Sequence, residues 1–448
     1  MILANKLEKK MIQTKNLIIG FGKAGKTLAG LFDKQGERTI LVEQSDKMYG
    51  GTCINVGCIP SKKLIHEAKT DSFAVAMQDK DKLISALREA NFNKINDLPN
   101  VTVINAQASF VDDNTVALST GETVRAERIF INTGTTPIMP PIAGVDGERV
   151  YDSTGLLNLG DSQATAPKRL VIVGAGFIAL EFAFMYHAFG SQVSIVEKFD
   201  SFLPNVDDDV RAIVLDLLNE RGITVHLGQD VQEFKHLTEH TQVITDKMTL
   251  DADAVLVAIG RRPNTDGLNL QNTSVQLSER GYVVCDDKLK ATDHIWAMGD
   301  VAGSPQFTYI SLDDYRIVAD DLFGNGTRHR ADRHTFPTSV FITPPLSQIG
   351  LSEKQAKDSG KNYQVATLPA QAIVKAKITG NTKGLLKAIV DKDNNEILGV
   401  TLFCENSHEI INLFKLAMDN GVKADYFKEQ IFTHPTISES LNDLFAKF

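Results

Sequence analysis

Two stretches of this chain repeat one hydrophobic pattern: a short apolar run, a glycine turn, then apolar residues at helical spacing. The first goes from Leu17 to Ile19 into Gly20-Phe21-Gly22-Lys23-Ala24-Gly25, continues as a helix from Lys26 to Asp33, and meets a second apolar run, Thr39 to Val42, that ends at Glu43. The second goes from Leu170 to Val173 into Gly174-Ala175-Gly176-Phe177-Ile178-Ala179, through a helix to His187 and a run from Ser194 to Val196 that ends at Glu197. Short apolar runs bounded by turn residues read as buried strands, and apolar positions three and four apart read as one helix face. Ser61 to about Ala90 carries helical spacing, with Leu64, Ala68, Phe73, Met77, Leu83 and Leu87 as its core positions. From Val101 to Thr133 the pattern shortens into strands with turns at Asp112 to Asn114 and Thr120 to Glu122, and Ile129 to Asn132 leads into Thr133-Gly134. Val255 to Gly260, with Arg261-Arg262-Pro263, reads as a terminal strand and exit loop, its arginines being phosphate ligands or a solvated turn. Thr292 to Val301 puts Asp300 after a strand and before a helix that begins near Tyr309 or Ser311, where it accepts from a ribityl hydroxyl or caps the turn.

From about Arg333 the pattern changes. Strands near Ser339 to Phe341, Val365 to Leu368, Gly384 to Val390 and Ile397 to Phe403 surround helices near Ser352 to Ser359 and His408 to Asp419, which reads as an α+β module. At 448 residues the chain exceeds what one core supports, so two to four domains are expected. A net charge of -9 argues against nucleic acid or an anionic membrane as the main partner. The N-terminus lacks an apolar signal region and no apolar run of about 18 residues occurs, so a cytoplasmic protein is expected. Residues 1–10 read as an N-terminal extension, reaching to about 14, with Met11 an alternative start.

In context the glycine turns are dinucleotide fingerprints. Glu43 lies 18 residues beyond Gly25 and Glu197 lies 18 beyond Ala179, the position of a carboxylate that accepts from an adenosine ribose. Pyrophosphate would sit on the amides of Gly22 to Gly25 at a helix N-terminus. The expected fold class is thus α/β, with two Rossmann-like dinucleotide-binding domains and the C-terminal α+β module. In the second unit Glu197 favours an unphosphorylated ribose, whereas Ala179 at the third glycine position is tolerated by NADP-binding units. Charge repulsion outweighs a methyl group, so NADH is expected, with NADPH the alternative.

The chemistry concentrates between these units, in Gly50 to Lys63, GGTCINVGCIPSKK. Cys53 and Cys58 leave a glycine turn, and Pro60 suits the first turn of a helix, so Cys58 sits near a helix N-terminus where a thiolate is stabilised. The alternatives are a zinc half-site or two buried core cysteines; zinc wants four ligands and no second cysteine pair exists, and with the dinucleotide fingerprints the pair reads as a redox dithiol. Lys62 follows in the same turn. Near the C-terminus, His434 precedes a proline and Glu439 follows five residues later, a spacing at which a carboxylate can hold an imidazole tautomer. Cys404 and His408 are read as a strand-end thiol and a helix-start imidazole, or as a copper pair.

Taken together, GGTCINVGCIPSK, the doubled fingerprints, WAMGDV and HPTISE resemble the class I pyridine nucleotide-disulfide oxidoreductases, the family of dihydrolipoamide dehydrogenase, glutathione reductase and mercuric reductase. The resemblance covers nearly the whole chain. It implies an FAD-binding domain of residues 11–155 and 284–334, an NAD(P)H-binding domain of 156–283, and a C-terminal dimerisation domain of 335–448. By the same match Gly20, Gly22, Gly25, Glu43, Gly51, Thr52, Lys62, Ala108, Thr133, Gly134 and Asp300 contact FAD, while Gly174, Gly176, Phe177, Ile178, Glu181, Glu197, Val231 and Gly260 form the nicotinamide site. Hydride then passes from NADH to the flavin and on to the Cys53-Cys58 disulfide, Cys58 facing the flavin and Cys53 exchanging with the acceptor. Lys62 pairs with Glu181, and His434, oriented by Glu439, comes from the partner subunit of a homodimer. MYGGTCINVGCIPSKKL, YDSTGLLNL, QFTYISLDDYRIV and IFTHPTISESLNDLF are most similar to the bacterial reactive-chlorine-resistance flavoproteins, which reduce Cu(II) with NAD(P)H. A Cu(II) acceptor, held transiently by Cys53 and Cys58, is therefore expected in oxidative stress defence. The alternatives are a small-disulfide reductase and a flavin-bound redox sensor or copper-binding protein.

Overall fold

A computed structural model describes residues 11–161 and 164–448. The expected extension at residues 1–10 lies outside the described residues. In chain order the first strands and helices are β1 (Met11–Ile19), α1 (Lys23–Lys34), β2 (Thr39–Glu43), α2 (Thr52–Asn55), α3 (Cys58–Glu67), α4 (Phe73–Asn96), β3 (Val101–Asn105), β4 (Ala108–Asp112), β5 (Thr115–Leu118), β6 (Thr123–Ile131) and β7 (Thr135–Pro137). Next come β8 (Val150–Tyr151), α5 (Ser153–Leu157), β9 (Arg169–Val173), α6 (Phe177–Ala188), β10 (Gln192–Val196), α7 (Asp208–Glu220), β11 (Thr224–His226), β12 (Val231–His236), β13 (Thr241–Thr245), β14 (Thr249–Ala252) and β15 (Ala254–Val257). Then come β16 (Arg261–Pro263), β17 (Ile295–Ala297) and α8 (Thr308–Phe323). The last part holds β18 (Thr338–Val340), β19 (Leu346–Gly350), α9 (Glu353–Asp358), β20 (Tyr363–Pro369), α10 (Val374–Thr379), β21 (Leu385–Asp391), β22 (Ile397–Phe403), α11 (Ser407–Asp419), α12 (Ala424–Glu429) and α13 (Ser440–Phe445).

The chain forms two compact units. One holds the chain up to Lys63, Val75–Ile138 and Gly260–Arg333; the other holds Leu64–Ala74, Met139–Ile259 and His334–Phe448. In the first, a sheet runs β3-β2-β1-β6-β5-β4. Strand β6 serves two neighbours on one edge, an antiparallel β5 near its start and a parallel β17 near its end. Parallel strands buried on both faces need near-continuous apolar sequence, and β2, TILVE, is buried at every position. In the second unit a parallel sheet of order β11-β10-β9-β15-β8 accompanies an antiparallel β12-β13-β14 and a five-stranded antiparallel sheet of order β18-β19-β22-β21-β20.

Several boundaries differ from those expected. Strand β1 begins at Met11 rather than Leu17, because Met11 to Thr14 pair in parallel register with Thr123 to Ala126. Burial there alternates without matching polarity, Met11 and Gln13 being exposed and Thr14 buried, so an apolar-run criterion passes over the stretch. The continuous helix expected from Ser61 breaks between α3 and α4. There the amides of Thr70 and Asp71 both return to the Glu67 carbonyl and the Thr70 hydroxyl bonds the Asp71 carboxylate, a local alternative to helix that short polar side chains favour. Strand β19 was not foreseen: it comes after two prolines and carries Ser347, which is fully buried and hydrogen bonded to Ser407.

The second unit also buries one lysine. Lys387 on β21 is 1 % exposed, and its Nζ lies 3.0 Å from Asp207, 3.0 Å from Asp209 and 2.8 Å from Glu353. Burial opposes its charge, but the three carboxylates together outweigh it and raise its pKa. Removing the cation leaves those carboxylates facing one another, so Lys387→Ala should lower unfolding stability by roughly 3 kcal/mol. Urea denaturation followed by far-UV circular dichroism checks this; a change under about 1 kcal/mol would mean the cluster is relieved by water.

Candidate functional site

In the first unit the glycine fingerprint is shaped by what it touches. Gly20 has a φ of 103°, and a Cβ there would lie 2.4 Å from the Asn132 carbonyl oxygen. A Cβ on Gly22 would lie 2.4 Å from the Asn132 side-chain oxygen. Asn132, 6 % exposed, closes β6 onto this loop: its Oδ1 accepts from the Gly25 amide at 2.9 Å and its Nδ2 donates to the Met298 carbonyl at 2.7 Å. One buried amide thus links the loop to the segment that leads into Asp300. In the sequence Asn132 reads only as a strand end. The signal available was an amide at the last position of an otherwise apolar strand.

Glu43 accepts from the Phe21 amide at 2.9 Å and the Ser45 amide at 3.2 Å, one on each oxygen, leaving acceptor capacity on both. Burial pushes its pKa up, against the pull of these amides. Asp300 sits in the turn Gly299–Ala302 and does not cap it; its carboxylate accepts from the Thr135 hydroxyl at 2.8 Å. Thr135 Oγ1 in turn accepts from Arg261 Nε at 2.9 Å, so Arg261 is turned toward Asp300, while Arg262 pairs with Asp266 in a solvated turn. Burial raises the Asp300 pKa, with Thr135 and Arg261 opposing it. Ala108 opens β4, buried and opposite Leu118. Thr133 donates its hydroxyl to the Asn264 carbonyl.

The cysteine stretch rests on the same loop. Gly51, with φ of 82°, approaches so closely that a Cβ would stand 2.8 Å from Gly22 Cα. Gly57 packs as tightly, its Cβ position 3.3 Å from Cys53 Cα, and this lets α3 start against the first turn of α2. Cys53 therefore lies in α2 and Cys58 opens α3. Both are thiols here, and they hydrogen bond to each other. Thr308, the first residue of α8, places its hydroxyl 3.8 Å from Cys58 Sγ. The shared hydrogen bond with Cys58, and then burial, raise the Cys53 pKa. Lys62 lies one turn along α3. A Cβ on Gly134 would meet only the Thr52 hydroxyl, at 3.8 Å, an ordinary contact.

The second unit repeats the geometry of the first. Gly174 has φ of 101°, and a Cβ there would lie 2.6 Å from the Ala258 carbonyl oxygen. Glu197 accepts from the Ala175 amide at 2.8 Å and the Phe199 amide at 3.1 Å. Here the strand-end residue is Ala258, which sends no side chain under the loop, and Gly176 has no heavy atom within 4 Å of its Cβ position. Phe177 and Ile178 come next on the first turn of α6, Phe177 exposed. Lys198 pairs with Asp230 at 3.1 Å. Glu181, 5 % exposed on α6, accepts from the Phe341 amide at 3.0 Å. Val231 is buried at the start of β12. Gly260, expected in this site, belongs to the first unit, where its carbonyl accepts from the Ile138 amide.

His434 and Glu439 do come together: Glu439 Oε2 lies 2.7 Å from His434 Nδ1, and its other oxygen accepts from the Thr436 amide. That leaves Nε2 of a largely exposed ring for other chemistry. Cys404 is buried beyond β22, its thiol pushed up to about 12 by burial, and His408 lies on α11. No group of three or more potential metal ligands occurs among the described residues.

Residues 14–314 match the model for pyridine nucleotide-disulphide oxidoreductases, and residues 336–445 match the dimerisation domain of the same proteins. The chain belongs to that family. It is 47% identical to the probable pyridine nucleotide-disulfide oxidoreductase RclA of Escherichia coli, with 96% of this chain and 98% of RclA covered. A solved Cu(II) complex of the HOCl-induced flavoprotein disulfide reductase RclA from Escherichia coli aligns with a TM-score of 0.94 at 46% identity, covering 98% of this chain and 100% of that one. Dihydrolipoyl dehydrogenase of Buchnera aphidicola is 33% identical, with 96% and 95% covered. This oxidoreductase family uses FAD and NAD(P)H. The two loops fit such groups: each has a carboxylate with spare acceptor capacity, and open space stands above Gly176. No helix among the described residues is long and apolar enough to cross a membrane.

Asn132→Ala would leave the Gly25 amide and the Met298 carbonyl buried without partners, a loss of about 2 kcal/mol. Differential scanning fluorimetry should show a lower midpoint, and gel filtration should show less FAD retained per chain. Unchanged FAD content would mean that the loop keeps its shape without the amide.

Proposed function

We propose that this protein is an NADH-dependent FAD enzyme that reduces the Cys53-Cys58 disulfide and passes the electrons to Cu(II) in defence against reactive chlorine. The observation that carries the reading is the sulfur pair itself: two hydrogen-bonded thiols placed against a nucleotide loop, in a chain nearly half identical to RclA. In this reading residues 11–155 and 284–334 bind FAD, 156–283 bind the nicotinamide nucleotide, and 335–448 pair two subunits. Gly20, Gly22, Gly25, Glu43, Gly51, Thr52, Lys62, Ala108, Thr133, Gly134 and Asp300 would hold FAD. Gly174, Gly176, Phe177, Ile178, Glu181, Glu197, Val231 and Gly260 would serve the nicotinamide nucleotide. When bound, the two nucleotides supply two electrons from NADH to the sulfurs.

Cys58 opens a helix and carries the thiolate, while Cys53 keeps the proton and meets the acceptor. Two neighbouring sulfurs are soft ligands that favour Cu(I), so the dithiol both holds the ion and eases its reduction. As the thiolate and thiol return to the disulfide, two Cu(II) ions gain one electron each and the one proton, held by Cys53, leaves. Lys62 and Glu181 act as a pair in this scheme. The preference for NADH comes from Glu197, which already serves two amides, and from Lys198, whose charge is engaged by Asp230. An engaged Lys198 is a poor partner for a 2'-phosphate, and Glu197 would repel one. A homodimer is supported by apolar side chains exposed within the dimerisation domain: Leu413, Leu416, Tyr426 and Ile431.

The His434–Glu439 pair favours a second reading, reduction of a small disulfide. An imidazole held in one tautomer protonates a leaving thiolate, and metal reduction does not need that acid. NADH oxidation measured in parallel with CuCl2, lipoamide and glutathione disulfide separates the two. Copper turnover should exceed that of a Cys53→Ser, Cys58→Ser double variant by at least tenfold, as expected when the only two-electron relay is removed (on the order of 1.4 kcal/mol or more). Equal copper rates in the two proteins would end the copper reading, and His434→Gln should cut disulfide turnover far more than copper turnover.

A further inference from the structure

Asp314, on α8, is 0 % exposed. Its carboxylate is engaged at both oxygens: Oδ2 accepts from the Gly299 amide at 2.6 Å, while Oδ1 accepts from the Ser304 hydroxyl at 3.2 Å and pairs with Arg333. Gly299 and Ser304 stand on either side of Asp300, so one buried carboxylate ties down both ends of the loop that carries it. Gly299 makes the approach possible: it has φ of 75°, and a Cβ there would lie 2.9 Å from Ser311 Oγ on the same helix. Asp300's own carboxylate accepts from Thr135 and keeps acceptor capacity for a ligand.

Burying a carboxylate costs free energy unless a cation and donors meet it. Burial pushes the Asp314 pKa up, against the opposing pull of Arg333, the Gly299 amide and Ser304. Arg333 is itself held in place, its Nε donating to Asp313 at 2.8 Å. A neutral acceptor would satisfy the Gly299 amide alone. Hydrogen bonds to an ionised acceptor are about twice as strong, so the charge stiffens the loop beyond what closing it requires.

We propose that Asp314 is a positioning residue for the flavin nucleotide: it holds the Asp300 loop in its binding conformation, so that FAD need not order the loop on arrival. The inference rests on Asp300 contacting FAD. Asp314→Asn keeps an acceptor for the Gly299 amide at nearly the same volume and removes only the charge. Dilution of holoenzyme, followed by the fluorescence of released flavin, should give an FAD dissociation constant raised by roughly five- to twentyfold. In an Asp300→Ala background the same substitution should change it less than about twofold, because the two residues act through one loop. Asp321→Asn controls for stability alone: it strips the partner of Lys288 and Lys290 on the same helix and should lower the unfolding midpoint without loosening FAD. Should Asp314→Asn not fold, Ser304→Ala is the milder form of the comparison, weakening FAD by roughly two- to threefold only where Asp300 is present. FAD held as tightly as in the parent, or loosened equally with and without Asp300, refutes the positioning role. Asp300→Ala that binds FAD like the parent overturns the Asp300 assignment and the inference with it, whereas an effect of Asp300→Ala with none from Asp314→Asn or Ser304→Ala overturns the inference alone.

Discussion

The tightest constraint in the first unit is between two backbones. Gly51 lies so near Gly22 that no side chain fits at Gly51, while Asn132 closes the space at Gly22, and this contact fixes the cysteine stretch onto the nucleotide loop. Both sulfurs depend on it. Gly51 leads directly into α2 and Cys53; Gly57 then lets α3 begin against Cys53, bringing Cys58 within hydrogen-bonding reach. Thr308 closes the other side from the start of α8. The sulfurs are therefore positioned by absent side chains more than by attractive contacts. Such positioning is insensitive to salt and pH, whereas the charges around it are not.

The two glycine loops use one hydrogen-bonding scheme. Gly20 and Gly174 each donate to the end of the next strand, at 2.8 Å, and Glu43 and Glu197 each accept from the amide after the first glycine and from a second amide two residues beyond the carboxylate. A carboxylate fixed this way keeps its orientation without a ligand, so ligand binding need not order it. The electrostatic settings then differ. Glu43 is buried enough to have its pKa raised, while Glu197 is half-buried, with an ion pair between Lys198 and Asp230 nearby.

Much of this was legible in the sequence because it is local. The fingerprints, their carboxylates and the cysteine pair depend on spacing along one stretch, and spacing survives folding. His434 and Glu439 were legible for the same reason, since five residues of loop bring them together. Asn132 was not. Its role depends on two partners, Gly25 and Met298, that lie 107 and 166 residues away. Strand β1 was underestimated where pairing with β6, not hydrophobicity, holds it straight.

Asn132 and Ala258 occupy the same place in the two halves of the fold, and the difference between them bears on time rather than affinity. Under the first loop an amide side chain fills the floor and holds the loop whether or not a nucleotide is there; under the second, Ala258 offers no such hydrogen bond and Gly176 has no heavy atom within 4 Å of its Cβ position. A loop braced from beneath suits a group that stays through many turnovers. An unbraced one suits a group that must arrive and depart in each.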